Sequence, residues 1–290
     1  MALMTVSEIL QPSVYNGWAV GAYDVADLSM TMGVVDAAVA DDAPVIIMVY
    51  PGMVPVEHYP TYAAFISKEI ERSCAKAALA LDHGSNLTQI RAALDAGFTG
   101  VMIDASSQPL ERNIQITKEV VEFAHRYSVP VEAELGRVGM GSDILQDDEM
   151  RSYYTRVEDA RRFVEETGVD ALAVAIGTAH GIYKFEPNLD FERLQELRRV
   201  LDLPLVLHGS SGTPTDQLSR AVELGINKIN VYTDIRMRVL DAIRKKVMAE
   251  LIESYDLSDL MNITREQTKQ AVQEKNALFG SVRRGNYYIR

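Results

Sequence analysis

The chain has 290 residues, 47% hydrophobic and 24% charged, with a net charge of −12. This balance suits a globular core and argues against a nucleic-acid partner, which calls for a basic face. One cysteine, Cys74, excludes an intrachain disulfide; no run reaches the roughly 18 apolar residues of a membrane span, and Met1–Ser13 lacks a secretory n-region, so a cytoplasmic protein with no membrane partner is expected.

Short apolar runs alternate with amphipathic segments. Strands are expected at Trp18–Tyr23, Pro44–Val49, Ala77–Leu81, Gly100–Ile103, Pro130–Glu134, Ala171–Ile176, Pro204–Leu207 and Lys228–Val231. Helical patterns lie between them, among them Asn86–Ala96, Leu110–Arg126, Val157–Thr167, Phe191–Val200 and Thr215–Leu224. Near-continuous apolar strands separated by helices indicate a parallel sheet buried on both faces. Eight such units predict an α/β fold, a (β/α)8 TIM barrel, with additional C-terminal helices. We expect one domain over residues 1–290, with 254–290 as a helical extension centred on Arg265–Leu278. The polar stretch Gly136–Thr155 is too long for an ordinary connection and reads as a loop over the active face.

Three of the five histidines share one setting, an apolar run followed by His-Gly. They are His83 after the third strand, His180 after the sixth and His208 after the seventh. In a barrel these carboxyl ends face one cavity, where the chemistry of this fold sits. Three neutral imidazoles favour zinc or a neighbouring transition metal, and three protein ligands leave a position for water or substrate. His58 and His125 are expected at the surface. Asp82, beside His83, is either a general acid/base or a partner that orients a histidine. Asp104 and Glu134 end the fourth and fifth strands, as partners of the histidines or alternative metal contacts. The turn Gly209-Ser210-Ser211-Gly212 and the segment Asn230-Val231-Tyr232-Thr233-Asp234 follow strands seven and eight, the usual phosphate position of the fold.

With these residues in place, the chain resembles the class II, zinc-dependent ketose-bisphosphate aldolases. The motifs that carry the likeness are Leu81-Asp82-His83-Gly84, Val101–Ser106, Val131–Gly136, Gly177–Gly181, Leu205–Gly209 and Lys228–Val231. The resemblance implies Zn2+ on His83, His180 and His208. It implies that Asp82 exchanges a proton with the hydroxyl on the carbon whose bond breaks. It places dihydroxyacetone phosphate on Gly181, Gly209, Ser210, Ser211, Asn230, Val231, Tyr232 and Thr233, with a monovalent cation (Na+ or K+) nearby. It also implies a phosphorylated ketose as substrate and a homodimer or homotetramer.

The likeness departs at the aldehyde end. Asp24 stands where Asn is usual, Tyr50 where Ser or Thr is usual, and Ser142 where the loop usually has a Glu; Asp143 and Glu149 are candidate replacements. Asp256-Leu257-Ser258 replaces a usual Asp-Pro-Arg step. An acid at Asp24 and a bulky Tyr50 suit a ketose 1-phosphate without a distal phosphate. A non-catalytic barrel subunit and a metal-dependent isomerase or epimerase are the readings from other classes.

Overall fold

The computed structural model describes residues 3–139, 151–183, 186–249 and 256–288. Eight parallel strands close in sequence order into one barrel. They are β1 (Val20–Asp24), β2 (Val45–Val49), β3 (Ala77–Gly84), β4 (Gly100–Ile103), β5 (Val131–Leu135), β6 (Ala171–Val174), β7 (Leu205–Leu207) and β8 (Ile226–Val231). Closure is made by β1 against β8, with Val20 beside Lys228 and Ala22 beside Asn230. The helices are α1 (Val6–Leu10), α2 (Leu28–Asp41), α3 (Tyr59–Ser73), α4 (Leu87–Asp95), α5 (Leu110–Ala124), α6 (Val157–Thr167), α7 (Phe191–Val200), α8 (Thr215–Glu223), α9 (Thr233–Ala249) and α10 (Leu257–Leu278). Among the described residues, no helix is long and apolar enough to cross a membrane.

The period-2 pattern of strands sorts their side chains. Ala19, Tyr23, Leu79, Leu81, Ile229 and Val231 face the helices and join the outer core. Val20, Ala22, Ala78, Ala80, Ala171 and Ala173 face inward. The inward residues are mostly small, which leaves room higher in the barrel for longer polar side chains. Below them, Ile9 and Leu10 of α1, Trp18 and Tyr288 close the floor. The two ends of the chain meet there, with the Tyr288 hydroxyl donating to the Ile9 carbonyl at 2.6 Å.

Two expectations shift most. β3 runs on to Gly84 instead of stopping at Leu81, so Asp82 and His83 lie within it. The C-terminal helix begins at Leu257, two turns before Arg265, because Asp256 and Asp259 form a reciprocal capping box at its start. This helix packs along α2, on the side of the barrel. There Arg265 grips Asp36 with two hydrogen bonds of 2.6 and 3.0 Å, and Asn276 accepts from the Tyr23 hydroxyl of β1 at 2.9 Å.

Gly33 sets the approach of α2 and α10. A Cβ there would lie 2.5 Å from the Arg265 carbonyl oxygen and 2.8 Å from the Thr268 Cβ. Alanine within a helix gains about 1 kcal/mol over glycine. The clash with backbone outweighs that gain, because overpacking costs typically 1–3 kcal/mol. Gly33→Ala is therefore expected to lower stability by about 1 kcal/mol or more in chemical denaturation; an unchanged or raised midpoint would contradict this packing.

Candidate active site

The carboxyl ends of the strands carry a cluster of acids, imidazoles and one lysine. Alternation brings them inward in pairs. Glu132 and Glu134 flank the outward Ala133 on β5, and Lys228 and Asn230 flank the outward Ile229 on β8. Asp24 ends β1, and Asp104 follows β4.

His83 breaks the alternation. By parity with Leu79 and Leu81 it would face the helices. Between Leu81 and Gly84 the register with β4 slips, three residues of β3 opposing two of β4. His83 itself has φ +45°, left-handed backbone that a non-glycine residue seldom adopts. The bulge turns its ring into the cavity beside Asp82, with His83 Nε2 3.9 Å from Asp82 Oδ2. Bulges re-aim side chains in this way next to active sites.

The three histidines come together. The ring centroids of His83 lie 5.1 Å from those of His180 and 4.8 Å from those of His208, and His180 and His208 are 5.9 Å apart. One nitrogen from each lies within 4.8 Å of the others. Hydrogen bonds decide which nitrogens these are. His83 Nδ1 is 2.8 Å from Asp104 Oδ2, and His208 Nε2 is 2.9 Å from Glu132 Oε1. A carboxylate accepts only, so each of those nitrogens carries the proton. His83 Nε2 and His208 Nδ1 face each other at 3.1 Å, and both become free to bind a metal once His83 gives up the proton on Nε2.

The electrostatics favour positive charge at that point. Burial disfavours charge on His83, but Asp82, Asp104 and Glu134 outweigh it and lift its pKa to about 10. Burial, with His83 and His208 beside it, pushes His180 down to about 3, which leaves it a neutral donor. Glu134, raised by burial, has Oε2 buried without a hydrogen-bond partner, 3.4 Å from His208 Nδ1. Lone-pair nitrogens, an unpaired carboxylate oxygen and a surplus of acid suit a divalent transition metal. His83, His180 and His208 would hold it. His83, Asp104 and Glu134 form a second set with ligand atoms equally close.

Asp82 is buried, and Asn230 Nδ2 donates to its Oδ1 at 3.0 Å. The same amide nitrogen lies 3.3 Å from His208 Nε2, which sets Asn230 beside both the acid and the histidine. The two loops of small residues lie alongside. Ser210 Oγ donates to the Asn230 carbonyl at 2.5 Å, and Ser211 Oγ accepts from Asp234 N at 3.1 Å, at the first turn of α9. Gly181 and Gly209 directly follow His180 and His208, and Tyr232 and Thr233 directly follow β8. The Val231 side chain instead packs outward into the helix-facing core, so only its backbone is available to a ligand.

Asp24 is buried, its Oδ1 has no partner, and burial followed by the nearby Asp82 charge pushes its pKa well up. Tyr50 is 39% exposed and sets its ring edge-on to His83, 6.3 Å between centroids. Ser142, Asp143 and Glu149 lie outside the described residues. His58 and His125 are at the surface, His125 paired with Asp170 at 2.8 Å.

Sequence reading overlooked Glu132 and Lys228. Lys228 Nζ donates to Glu132 Oε2 at 2.7 Å across the barrel, with both side chains buried. Lys228 and, after it, the His208 ring hold the Glu132 carboxylate at about 2, against its burial. Both residues sit two positions before residues already singled out, Glu134 and Asn230. Strand alternation was the signal that could have found them.

The family profile described as fructose-bisphosphate aldolase class-II matches residues 4–284. A curated fructose-bisphosphate aldolase of Staphylococcus aureus (strain Mu50) is 39% identical, covering 98% of this chain and 99% of its own. The crystal structure of the YdjI aldolase of Escherichia coli K12 superposes with a TM-score of 0.87 at 32% identity, covering 98% of this chain and 99% of that one. A fructose-bisphosphate aldolase of Campylobacter jejuni shares the fold alone, with a TM-score of 0.85 at 21% identity over 97% of this chain and 96% of its own. With whole-length matches of sequence and fold, this chain belongs to the class II fructose-bisphosphate aldolase family and is a carbon–carbon lyase of the aldolase type.

Proposed function

We propose that this protein is a zinc-dependent aldolase. It reversibly cleaves a ketose 1-phosphate or ketose 1,6-bisphosphate to dihydroxyacetone phosphate and an aldehyde. The observation that carries the reading is the convergence of His83, His180 and His208 nitrogens within 4.8 Å of one another, beside the buried Asp82.

Bound to these histidines, zinc supplies Lewis acidity that polarises the ketose carbonyl. The chain's own residues do the rest. Asp82 takes the proton from the hydroxyl on the aldehyde-side carbon, and that oxygen becomes the aldehyde carbonyl as the carbon–carbon bond breaks. The bonding pair passes to the ketose half as an enediolate, which takes up a proton at that carbon to leave as dihydroxyacetone phosphate. Asn230 holds Asp82 Oδ1, which leaves Oδ2 for the proton. The backbone of Gly209–Ser211 and Asn230–Thr233, with Gly181, cradles the phosphate at the N-terminus of α9. A monovalent cation, Na+ or K+, beside these loops belongs to the same reading. Positioning the ketose lowers the barrel's catalytic task to proton transfer and charge stabilisation.

The coupled assay for dihydroxyacetone phosphate across a ketose-phosphate panel tests this. Chelation is expected to abolish the activity and Zn2+ to restore it. Asp82→Ala should lower kcat/KM by about 10²–10⁴-fold with zinc content unchanged. A zinc-loaded wild type as inactive as the variant would support a non-catalytic partner subunit instead. A new sugar without triose phosphate would indicate an isomerase.

Asp24 favours a second reading, an aldolase of the same family for a sugar without the distal phosphate. Its buried oxygen lacks a partner and offers no positive charge to an anion, and Tyr50 narrows the mouth beside His83. On this reading kcat/KM for ketose 1-phosphates exceeds that for fructose 1,6-bisphosphate; the reverse order sinks it.

A homodimer or homotetramer completes the proposal. Met237, Leu240 and Met248 on α9 and Leu257 and Met261 on α10 are exposed large apolar residues on neighbouring helices. Burying such residues against a second chain would remove apolar surface from water. Light scattering is expected to report two or four chains, and a monomer at micromolar concentration would refute it.

A further inference from the structure

One phenol links the loops that carry two of the three histidines. The Tyr183 hydroxyl accepts from Ala179 N at 2.6 Å and donates to the Gly209 carbonyl at 2.7 Å. Ala179 immediately precedes His180, and Gly209 immediately follows His208. At this place the loops touch backbone to backbone. A Cβ on Gly209, whose φ is +66°, would lie 2.4 Å from the Ala179 oxygen and 2.9 Å from its nitrogen. The Tyr183 ring lies under the next turn, where a Cβ on Gly212 would meet its Cδ2 at 3.1 Å. On its other side the His180 segment is held by its own N–H, which donates to the Gly139 carbonyl at 2.7 Å.

His180 has no such support for its ring. His83 and His208 are each oriented by a carboxylate. No hydrogen bond or ion pair to the His180 ring is found among the described residues. Its position follows from the backbone that carries it.

We propose that Tyr183 is a positioning residue that sets the spacing of His180 and His208 and the shape of the Gly209–Ser211 phosphate turn. The inference rests on the zinc aldolase reading and adds to it a residue that touches neither metal nor substrate. The hydroxyl makes both bonds at once, so its loss strands a buried N–H and a carbonyl and frees the loops to part. An unpaired buried backbone group is costly, and the loops relieve it by moving apart.

Tyr183→Phe removes the oxygen and keeps the ring on Gly212. Zinc affinity, measured by competition with a chromophoric chelator, is expected to fall about 10–100-fold, the range for losing a partner that orients a metal ligand. KM for the ketose phosphate is expected to rise in the same variant, since the phosphate turn loosens with the histidine. Amide exchange at Ala179 should quicken while β2 and β3 keep their protection. A merely structural role predicts something else, a lower Tm with zinc affinity and KM unchanged, and that result overturns the proposal. A wild type that binds no zinc overturns the aldolase reading together with it. A wild type that binds zinc alongside an unaltered variant overturns the Tyr183 assignment alone.

Discussion

Imidazoles that share one point are best oriented when another group takes the second nitrogen of a ring. Here carboxylates do this for two of the three rings. Asp104 holds His83 Nδ1 and Glu132 holds His208 Nε2, which leaves His83 Nε2 and His208 Nδ1 opposed at 3.1 Å. The two rings use different nitrogens because they arrive from different directions, His83 from a bulged strand and His208 from a strand end. Much of the remaining site follows from this requirement. Glu132 must stay ionised in a barrel interior, and Lys228 at 2.7 Å provides the compensating charge. A buried ion pair is a poor source of stability, since desolvation offsets most of the attraction. Its use here is to fix a tautomer.

The barrel makes room for these groups by filling its lower layers with small side chains. Ala22, Ala78, Ala80, Ala171 and Ala173 line the interior, and α1, Trp18 and Tyr288 seal the floor. Glu132 and Lys228 stand level with Ala171 and Val20, and the other polar groups lie toward the carboxyl ends. Among the described residues the acids there outnumber the buried lysine, and Asp82, Asp104 and Glu134 together lift His83 to about 10, while burial pushes Asp24 and Glu134 up. A bound divalent cation would relieve that crowding of negative charge.

The C-terminal helix has a mechanical part in this arrangement. It lies along α2 through Gly33 and the Arg265–Asp36 pair and reaches the barrel wall through Asn276 and Tyr23. Tyr23 is the outward neighbour of Asp24, so β1 is gripped from outside at the position where its inward side enters the site.

Much of this was legible in the chain. Eight apolar runs separated by amphipathic segments are enough for a parallel barrel, because only strands covered on both faces can be apolar throughout. The three His-Gly steps fall at strand ends, and a barrel directs all strand ends to one face, so their meeting followed from topology. Asp82, Asp104, Glu134 and the two small-residue loops were found by the same logic. What sequence could not supply was direction. The bulge at Leu81–Gly84 that turns His83 inward depends on register with β4, a relation between residues distant in the chain. The pairing of Glu132 with Lys228, 96 positions apart, exists only once the barrel closes. Tyr183 carries no motif, and its hydroxyl acquires meaning only because β6 and β7 become neighbours. Local chemistry thus determined which residues could act, through periodicity and residue type. Tertiary structure decided which atoms of those residues face one another, because hydrogen-bond direction is set across strands and not along them.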